Sequence, residues 1–152
     1  MSEQFLHIET SKGPVVIKLR PDLAPKHVER ITKLASEGFY DGIIFHRVID
    51  GFMAQTGDPT GTGMGGSEMD DLKAEFSKEN FDRGTVGMAR SSYPHSANSQ
   101  FFICFDDASF LNGQYTVWGN VVSGMENVDK INMGEPPANP DKMISVKVRD
   151  AA

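Results

Sequence analysis

The residues best suited to chemistry lie in one run, FHRVIDGFMAQ, at positions 45–55. Side chains alternate between the two faces of a strand, and a turn at Asp50-Gly51 can bring the following residues back to the same patch. The side chains that can converge in this way are Arg47, Phe52, Met53 and Gln55. A guanidinium keeps its charge at every physiological pH, and beside an apolar hollow it suits an uncharged, proline-like ligand with an electron-rich amide.

A second run, SQFFIC at positions 99–104, places a carboxamide where a plain buried strand seldom has one. Because strand residues alternate, Phe101 is expected to point into the protein interior, whereas Gln100 and Phe102 point the other way. The two runs together predict a pocket that combines one permanent cation, two carboxamides and several large apolar side chains.

Taken alone, these residues also allow two simpler interpretations. A single Phe or Met in a sequence usually packs in the core of a protein. Arg47 could be a surface arginine that pairs with a nearby carboxylate such as Asp50, because exposed ion pairs are common. The residues by themselves therefore leave both a ligand pocket and ordinary packing open.

The wider pattern resembles the cyclophilin family of peptidyl-prolyl cis-trans isomerases. The resemblance is carried by two ordered motifs, FHR…GFMAQTGD at positions 45–58 and NSQFFI at positions 98–103. It extends over nearly the whole chain, from Phe5 to Val148. The short loops and the run FLNGQYTVWG at positions 110–119 are more similar to the bacterial branch of the family than to the animal branch.

The resemblance implies an enzyme that accelerates rotation about X-Pro peptide bonds and assists protein folding, with no cofactor and no metal. It implies that Arg47 is the catalytic residue and that Gln55 binds the substrate backbone. The neighbouring groove is expected to be lined by Gly63, Ala89 and Arg90. The other substrate-binding positions that the resemblance implies are Phe52, Met53, Gln100, Phe102, Phe110, Leu111 and Tyr115. Proline-containing peptides and protein clients are the expected partners.

Three of these positions depart from the best-studied family members. Arg90 stands where they carry asparagine, so the groove gains a positive charge and is expected to prefer acidic or neutral residues before the proline. Phe110 stands where cyclosporin-sensitive members carry tryptophan. A phenyl ring lacks the N–H donor of an indole, so we expect weak cyclosporin binding, whereas catalysis should persist. Tyr115 replaces a histidine, and because tyrosine has a pKa of about 10, we expect it to add little pH dependence near neutrality.

Two other classes of function compete with an enzyme of this kind. A proline-peptide binding module would hold such segments with only incidental activity, and it would have no need of Arg47. A nucleotide-binding enzyme could be built on the loop GTGMGG at positions 61–66, which formally matches G-x-G-x-x-G. That fingerprint belongs between a strand and a helix N-terminus, and the acidic run SEMDD that follows is unsuited to a pyrophosphate. A flexible loop is the favoured interpretation of this segment.

Hydrophobic periodicity indicates the elements that must position these residues. Alternating apolar residues predict a β-hairpin over positions 5–19 and a last strand over 144–148. A helix is expected to begin at Ala24-Pro25 and to end before Gly38. Short strands are predicted in the middle of the chain at positions 44–48, 51–56, 85–89, 100–105 and 115–121.

A second helix is expected over about 124–133, with Ser123 and Glu126 forming a capping box and Gly134 ending the helix. The pattern alone predicts a mostly β protein with two helices. The resemblance implies a closed eight-stranded antiparallel β-barrel capped by two α-helices. We expect positions 1–152 to form a single domain, since no linker or repeat interrupts them.

Composition limits the remaining functions. The chain has 152 residues and a net charge of −6, which argues against a general nucleic-acid binder. Its start shows no leader pattern and no window approaches the roughly 20 apolar residues of a membrane span, so we expect a cytoplasmic protein with no membrane partner. The four histidines lack the spacing of a metal site, and His27 is expected to be solvated. Cys104 is expected to be a buried small residue, and the absence of a long apolar patch favours a monomer.

Overall fold

The structure is a computed structural model that describes residues 3–152. Met1 and Ser2, on which the expectation of no leader segment partly rests, lie outside the described residues. Among residues 3–152, no helix is long and apolar enough to cross a membrane. Eight strands and two α-helices form the mostly β architecture that the sequence predicts. The strands are β1 (Phe5–Thr10), β2 (Gly13–Leu19), β3 (Arg47–Ile49), β4 (Met53–Thr56), β5 (Thr85–Met88), β6 (Phe101–Cys104), β7 (Val117–Ser123) and β8 (Met143–Arg149).

The strands form one antiparallel sheet in the order β3-β4-β6-β5-β7-β2-β1-β8. The predicted closure of the barrel is not confirmed, because the sheet curls through 217° and stays open between β3 and β8. At the outer edge of the sheet, β3 has only three residues. There Val48 exchanges two backbone hydrogen bonds, of 2.8 and 2.9 Å, with the loop residue Gly134 and not with β8.

The predicted hairpin is confirmed by the pairing of β1 with β2. Apolar residues alternate with other residues in this hairpin because one face is buried, with Leu6, Ile8 and Ile17 inside the curled sheet. Phe101 points into the same core, as the alternation in β6 predicts, and its ring meets the Trp118 ring edge-on at 5.3 Å. A second, smaller core cluster lies beneath the predicted pocket.

Helix α1 (Pro25–Ser36) begins where the proline predicts and ends two residues before Gly38, whose φ is 73°. Its first turn has no side-chain cap of its own. The Glu75 carboxylate, far along the chain, accepts hydrogen bonds from the backbone N–H groups of Lys26 (3.2 Å) and His27 (2.9 Å). A negative charge at this end of the helix also interacts favourably with the helix dipole.

The expectation that His27 is solvated is wrong. Its side chain is fully buried, and its Nδ1 lies 2.6 Å from Oε1 of Glu75. Burial lowers the pKa of the imidazole, although the Glu75 carboxylate acts in the opposite direction. We therefore describe His27 as a neutral ring whose Nδ1–H donates to Glu75. The segment that carries Glu75 covers a ring that helical spacing alone would leave at the surface.

The prediction for the second helix is also wrong in its extent. Helix α2 (Met125–Val128) spans four residues, and the chain then continues in turns. The capping box does not form, because Ser123 is the last residue of β7 and the N-cap is Gly124, at a φ of 85°. A residue that still belongs to a strand is not free to cap the next helix.

Cys104 is buried, as expected for a small apolar position. Burial raises the pKa of its thiol to about 12, and the nearby Asp82 carboxylate acts in the same direction. A thiol with such a pKa stays protonated at neutral pH, so Cys104 is a packing residue and not a nucleophile.

Candidate active site

Strand pairing brings the two sequence runs together. In the sheet β4 lies between β3 and β6, so Gln55 pairs with Arg47 on one side and with Phe102 on the other. Residues directly opposite each other in neighbouring strands point to the same face, so these three side chains share one surface. A cation, a carboxamide and an aromatic ring thus lie side by side across three strands.

A cavity of about 110 Å³ opens on this surface. Its lining consists of nine of the predicted positions: Arg47, Phe52, Met53, Gln55, Ala89, Arg90, Phe102, Leu111 and Tyr115. Gly63 and Gln100 line the neighbouring groove. Phe110 lies at the rim, 70% exposed, with its ring centroid 5.5 Å from that of Phe52.

The floor of the cavity is apolar and tightly packed. Met53, Phe102 and Leu111 are buried and belong to the smaller core cluster. The Phe102 ring stacks on Phe81 at 5.9 Å and meets the ring of Tyr115 edge-on at 5.8 Å. Side chains held from several directions keep the shape of the cavity, so its floor is preformed for an apolar ring.

Arg47 stands at the polar wall of the cavity, between two acceptors. Its Nε–H donates to Oε1 of Glu135 at 3.0 Å, and its Nη1 donates to Oε1 of Gln55 at 3.4 Å. The carboxylate that pairs with Arg47 is therefore Glu135, 88 residues further along the chain, and not the neighbouring Asp50. Sequence reasoning missed Glu135, because nothing in the run GEPP distinguishes it from an ordinary loop residue.

The carboxamides of Gln55 and Gln100 extend the hydrogen-bond network that begins at Arg47. Gln55 donates through Nε2 to Oε1 of Gln100 at 2.9 Å. Gln100 donates in turn through its Nε2 to the carbonyl oxygens of Gly63 (3.0 Å) and Gly65 (2.9 Å). These bonds determine which end of each amide is the oxygen, and they connect Arg47 to the loop that ends at Gly65.

That loop is organised around a single carboxylate. Asp58 is only 1% exposed, and it accepts hydrogen bonds from the backbone N–H groups of Thr60 (2.8 Å), Gly63 (2.7 Å) and Gly65 (3.1 Å). Burial by itself would raise the pKa of Asp58, but hydrogen bonds from the Thr60 side chain and from these backbone groups outweigh it, so the pKa falls to about 2.

The same contacts count against the nucleotide-binding interpretation. The backbone N–H groups of Gly63 and Gly65, which a phosphate would need, already donate to Asp58. Within the described part of the chain, no helix begins between this loop and position 84. The glycines therefore serve a turn around a carboxylate.

The groove beside the cavity is larger, at about 500 Å³. Its polar side chains include Ser67, Asp71 and Asn98, and it shares Ala89 and Arg90 with the cavity. Hydrogen bonds to the backbone carbonyl oxygens of Gln114 and Ser91 and a contact with an aromatic ring hold the guanidinium of Arg90. Nε and Nη2 donate to the carbonyl oxygen of Gln114 at 3.0 and 2.7 Å, and the group lies 4.5 Å from the centroid of the Tyr115 ring.

The neighbouring histidine takes no visible part in this network. His46 is buried next to Arg47, and neither ring nitrogen has a hydrogen-bond partner among the described residues. Burial lowers its pKa, so the ring is neutral near pH 7. In residues 3–152, no three His, Cys, Asp or Glu side chains lie close enough together to hold a metal ion.

Comparison with known proteins identifies the family. The family model described as cyclophilin type peptidyl-prolyl cis-trans isomerase/CLD matches residues 5–149. The chain belongs to this family. Its activity is therefore peptidyl-prolyl cis-trans isomerisation, the reaction for which the family is named.

Relatives and solved structures agree with this assignment. A probable peptidyl-prolyl cis-trans isomerase of Brucella suis is 56% identical over 96% of this chain and 83% of the relative. The cyp15 isomerase of Rhizopus delemar is 42% identical over 93% of this chain, which corresponds to 24% of that protein. A cyclophilin of Cryptosporidium parvum has a similar structure, with a TM-score of 0.91, 28% identity and coverage of 99% of both chains. A structure of that protein in the presence of the dipeptide Ala-Pro has a TM-score of 0.89 at 30% identity, covering 95% of this chain and 98% of the other.

Proposed function

We propose that Arg47 is the electrostatic catalyst of X-Pro isomerisation in this chain and that the cavity beside it holds the proline ring. The observation that carries this proposal is the position of the Arg47 guanidinium, which lines the same cavity as the buried apolar floor. A cavity of about 110 Å³ is small compared with the roughly 300–1,000 Å³ of pockets for drug-sized ligands, so it suits a single ring.

The chemistry follows from the electronic structure of the amide. Resonance keeps an X-Pro bond planar, with a rotational barrier of about 18–20 kcal/mol. Rotation takes the prolyl nitrogen out of conjugation, and a lone pair develops on it. A guanidinium directed at that nitrogen stabilises the twisted state more than the planar one, and only such a difference accelerates the step. The reaction needs no proton transfer and no covalent intermediate, so a permanently charged group is sufficient.

The other residues bind the substrate in this proposal. Gln55 forms hydrogen bonds with the substrate backbone. The proline ring contacts Phe52, Met53, Phe102, Leu111 and Tyr115, with Phe110 at the rim. The groove lined by Gly63, Ala89, Arg90 and Gln100 receives the residues that precede the proline. This division leaves the carbonyl of the preceding residue free to swing while the ring stays fixed.

We further propose a role in the folding of proline-containing proteins, because uncatalysed isomerisation takes tens to hundreds of seconds. In this role the protein is a monomeric, single-domain enzyme at positions 1–152 in the cytoplasm of a bacterium. The identity to the Brucella relative supports the bacterial origin. Nucleic acids are not among its partners, in keeping with the net charge of −6. Cyclosporin binds weakly, because Phe110 offers no N–H donor at the rim.

The substitution Arg47→Ala tests the catalytic role. We expect kcat/KM on a short X-Pro peptide to fall about 10²–10³-fold, which corresponds to about 3–4 kcal/mol of lost transition-state stabilisation. Affinity for a proline peptide should change little, because the apolar floor remains. Activity is measured by a protease-coupled assay and by NMR exchange spectroscopy, and affinity by NMR titration.

Arg83→Ala is the matched control, since Arg83 also forms an ion pair, with Asp129, and is half exposed, but it lies outside the cavity. This variant should keep the wild-type rate. If Arg47→Ala also keeps the wild-type rate, the catalytic assignment is wrong and the cavity acts as a proline-peptide binding site.

A further inference from the structure

The carboxylate beside Arg47 has no role in the function described so far. We propose that Glu135 is a positioning residue, which holds the Arg47 guanidinium in the orientation that the twisted amide requires. The inference rests on the proposed catalytic role of Arg47 and assigns a function to the loop that lies across the open edge of the sheet.

The backbone holds Glu135 in place. Its neighbour Gly134 exchanges two hydrogen bonds with Val48, and Val48 is the neighbour of Arg47. The turn is tight at this point, because a Cβ on Gly134 would lie 2.5 Å from the Cα of Pro137. The bridge therefore fixes the spacing between the two side chains before either one forms an ion pair.

The spacing between Arg47 and Glu135 fixes the orientation of the guanidinium through its hydrogen bonds. A guanidinium is planar and carries its N–H donors in a rigid fork. The Nε–H donates to Glu135 and Nη1 donates to Gln55, so acceptors at two points determine the plane of the group. Nη2 has no hydrogen-bond partner within residues 3–152 and remains available to a substrate. A donor that is already oriented stabilises the transition state without further reorganisation.

Stability does not account for this ion pair. The side chains of Arg47 and Glu135 are 43% and 57% exposed, and ion pairs with such exposure contribute little to folding. A long arginine side chain without Glu135 would sample several rotamers, and only some of them direct the guanidinium at the prolyl nitrogen. Loss of Glu135 should therefore reduce the rate and leave the fold intact.

The test compares Glu135→Ala and Glu135→Gln in the full chain. Because a small misplacement of a catalytic group is costly, we expect Glu135→Ala to lower kcat about tenfold with KM changed less than about twofold. Glu135→Gln keeps an oxygen that can accept the Nε–H bond and should stay within about threefold of the wild type. Asp50→Asn, which removes an exposed carboxylate three positions after Arg47 in the chain, is the control and should keep the wild-type rate.

A double-mutant cycle separates positioning from a general effect on structure. In the Arg47→Ala background, the substitution Glu135→Ala should cause no further loss of rate, since there is no guanidinium left to orient. The residual rates are measured by exchange NMR at high enzyme concentration, and thermal unfolding of each variant establishes that it is folded.

The outcomes distinguish the two proposals. An Arg47→Ala variant with full activity would refute the catalytic role itself. If Arg47→Ala loses activity but Glu135→Ala retains it, only the positioning role is refuted. The positioning role is also refuted if Glu135→Ala lowers the rate equally in both backgrounds, or if Glu135→Gln is as slow as Glu135→Ala.

Discussion

Arg90 places a permanent positive charge at the boundary between the cavity and the groove. Its Nε and Nη2 donate to the carbonyl oxygen of Gln114, its Nη1 donates to that of Ser91, and its charged face lies over Tyr115, so the side chain is held in place. Neither a carbonyl oxygen nor an aromatic face cancels the net charge. In the proposed binding mode, a substrate residue that enters the groove before the proline passes close to this positive charge, although the groove lining also includes the Asp71 side chain.

We expect a peptide with Glu before Pro to react faster than one with Lys before Pro. At low ionic strength the ratio of kcat/KM values should be about threefold or more, and it should shrink as salt screens the interaction. A protease-coupled assay on the two peptides measures this ratio. The variant Arg90→Gln, which removes the charge and keeps a polar side chain, should bring the ratio close to one, whereas a faster Lys peptide on the wild type would contradict the assignment.

At the scale of elements, local sequence patterns were sufficient to predict an element where that element is stabilised by its own residues. The hairpin β1–β2 could be predicted because its alternation is internal to positions 5–19. The capping of α1 could not be predicted from local sequence, because its cap is the Glu75 carboxylate from a distant segment. Helix α2 was overestimated for a related reason, because Ser123 is held in β7 and is unable to act as a cap.

The same distinction applies to the candidate site. The motifs around Arg47 and Gln100 are contiguous in the chain, so the resemblance to a family was sufficient to predict which of their residues line one cavity and its groove. The ion pair with Glu135 depends on the bridge between Val48 and Gly134, which joins segments far apart in the chain. No periodicity or spacing indicates such a bridge, so long-range partners of this kind are visible only in the folded chain.

The loop from Asp58 to Gly65 is an element whose shape depends on one ionised group. Because the folded-state pKa of Asp58 is about 2, against an ordinary value of 3.8, the carboxylate stabilises the folded state above pH 4. That stabilisation is lost as the pH falls toward 2, when the carboxylate binds a proton in the folded state as well. A depression of this size corresponds to about 2 kcal/mol of folding free energy.

We therefore expect Asp58→Asn to lower the free energy of unfolding by about 2 kcal/mol at pH 7, with a difference from the wild type that disappears near pH 2. Denaturant unfolding between pH 7 and pH 2 measures this. The substitution should also lower activity, because Gly63 and Gly65 hold Gln100. Asp50→Asn, in an exposed turn, serves as the control and should leave stability unchanged. If the free energies of unfolding of the wild type and Asp58→Asn differ by the same amount at all pH values, the charge of Asp58 is not the cause of the lost stability.

On the scale of the whole molecule, the hydrogen bonds of the partly buried Glu75 connect the helix to the edge of the site. Glu75 accepts hydrogen bonds from the first turn of α1 and from His27, and its own backbone N–H donates to Oγ1 of Thr116 at 2.8 Å. Thr116 directly follows Tyr115, a residue of the cavity wall. The buried His27 ring, whose neutral form is favoured by burial, is part of this connection between α1 and the cavity wall.

The burial of His27 predicts how the stability of the molecule changes with pH. Burial lowers the pKa of His27 in the folded state, whereas in the unfolded chain the ring binds a proton below about pH 6.5. The unfolded state then binds more protons, so the free energy of unfolding falls as the pH drops below 6.5, by at most about 1.4 kcal/mol per pH unit for this group. The loss levels off below the folded-state pKa. His46, whose pKa burial also lowers, adds to the effect in the same direction.

The variant His27→Asn isolates the contribution of this histidine, because the asparagine amide can still donate to Glu75 but does not titrate. We expect its overall stability to be lower, since a smaller side chain leaves a cavity, while the slope of stability against pH between 7 and 5 becomes shallower than that of the wild type. Chemical denaturation at half-unit pH intervals measures these slopes, and equal slopes for the wild type and His27→Asn would mean that the buried ring is not the group that links protons to folding.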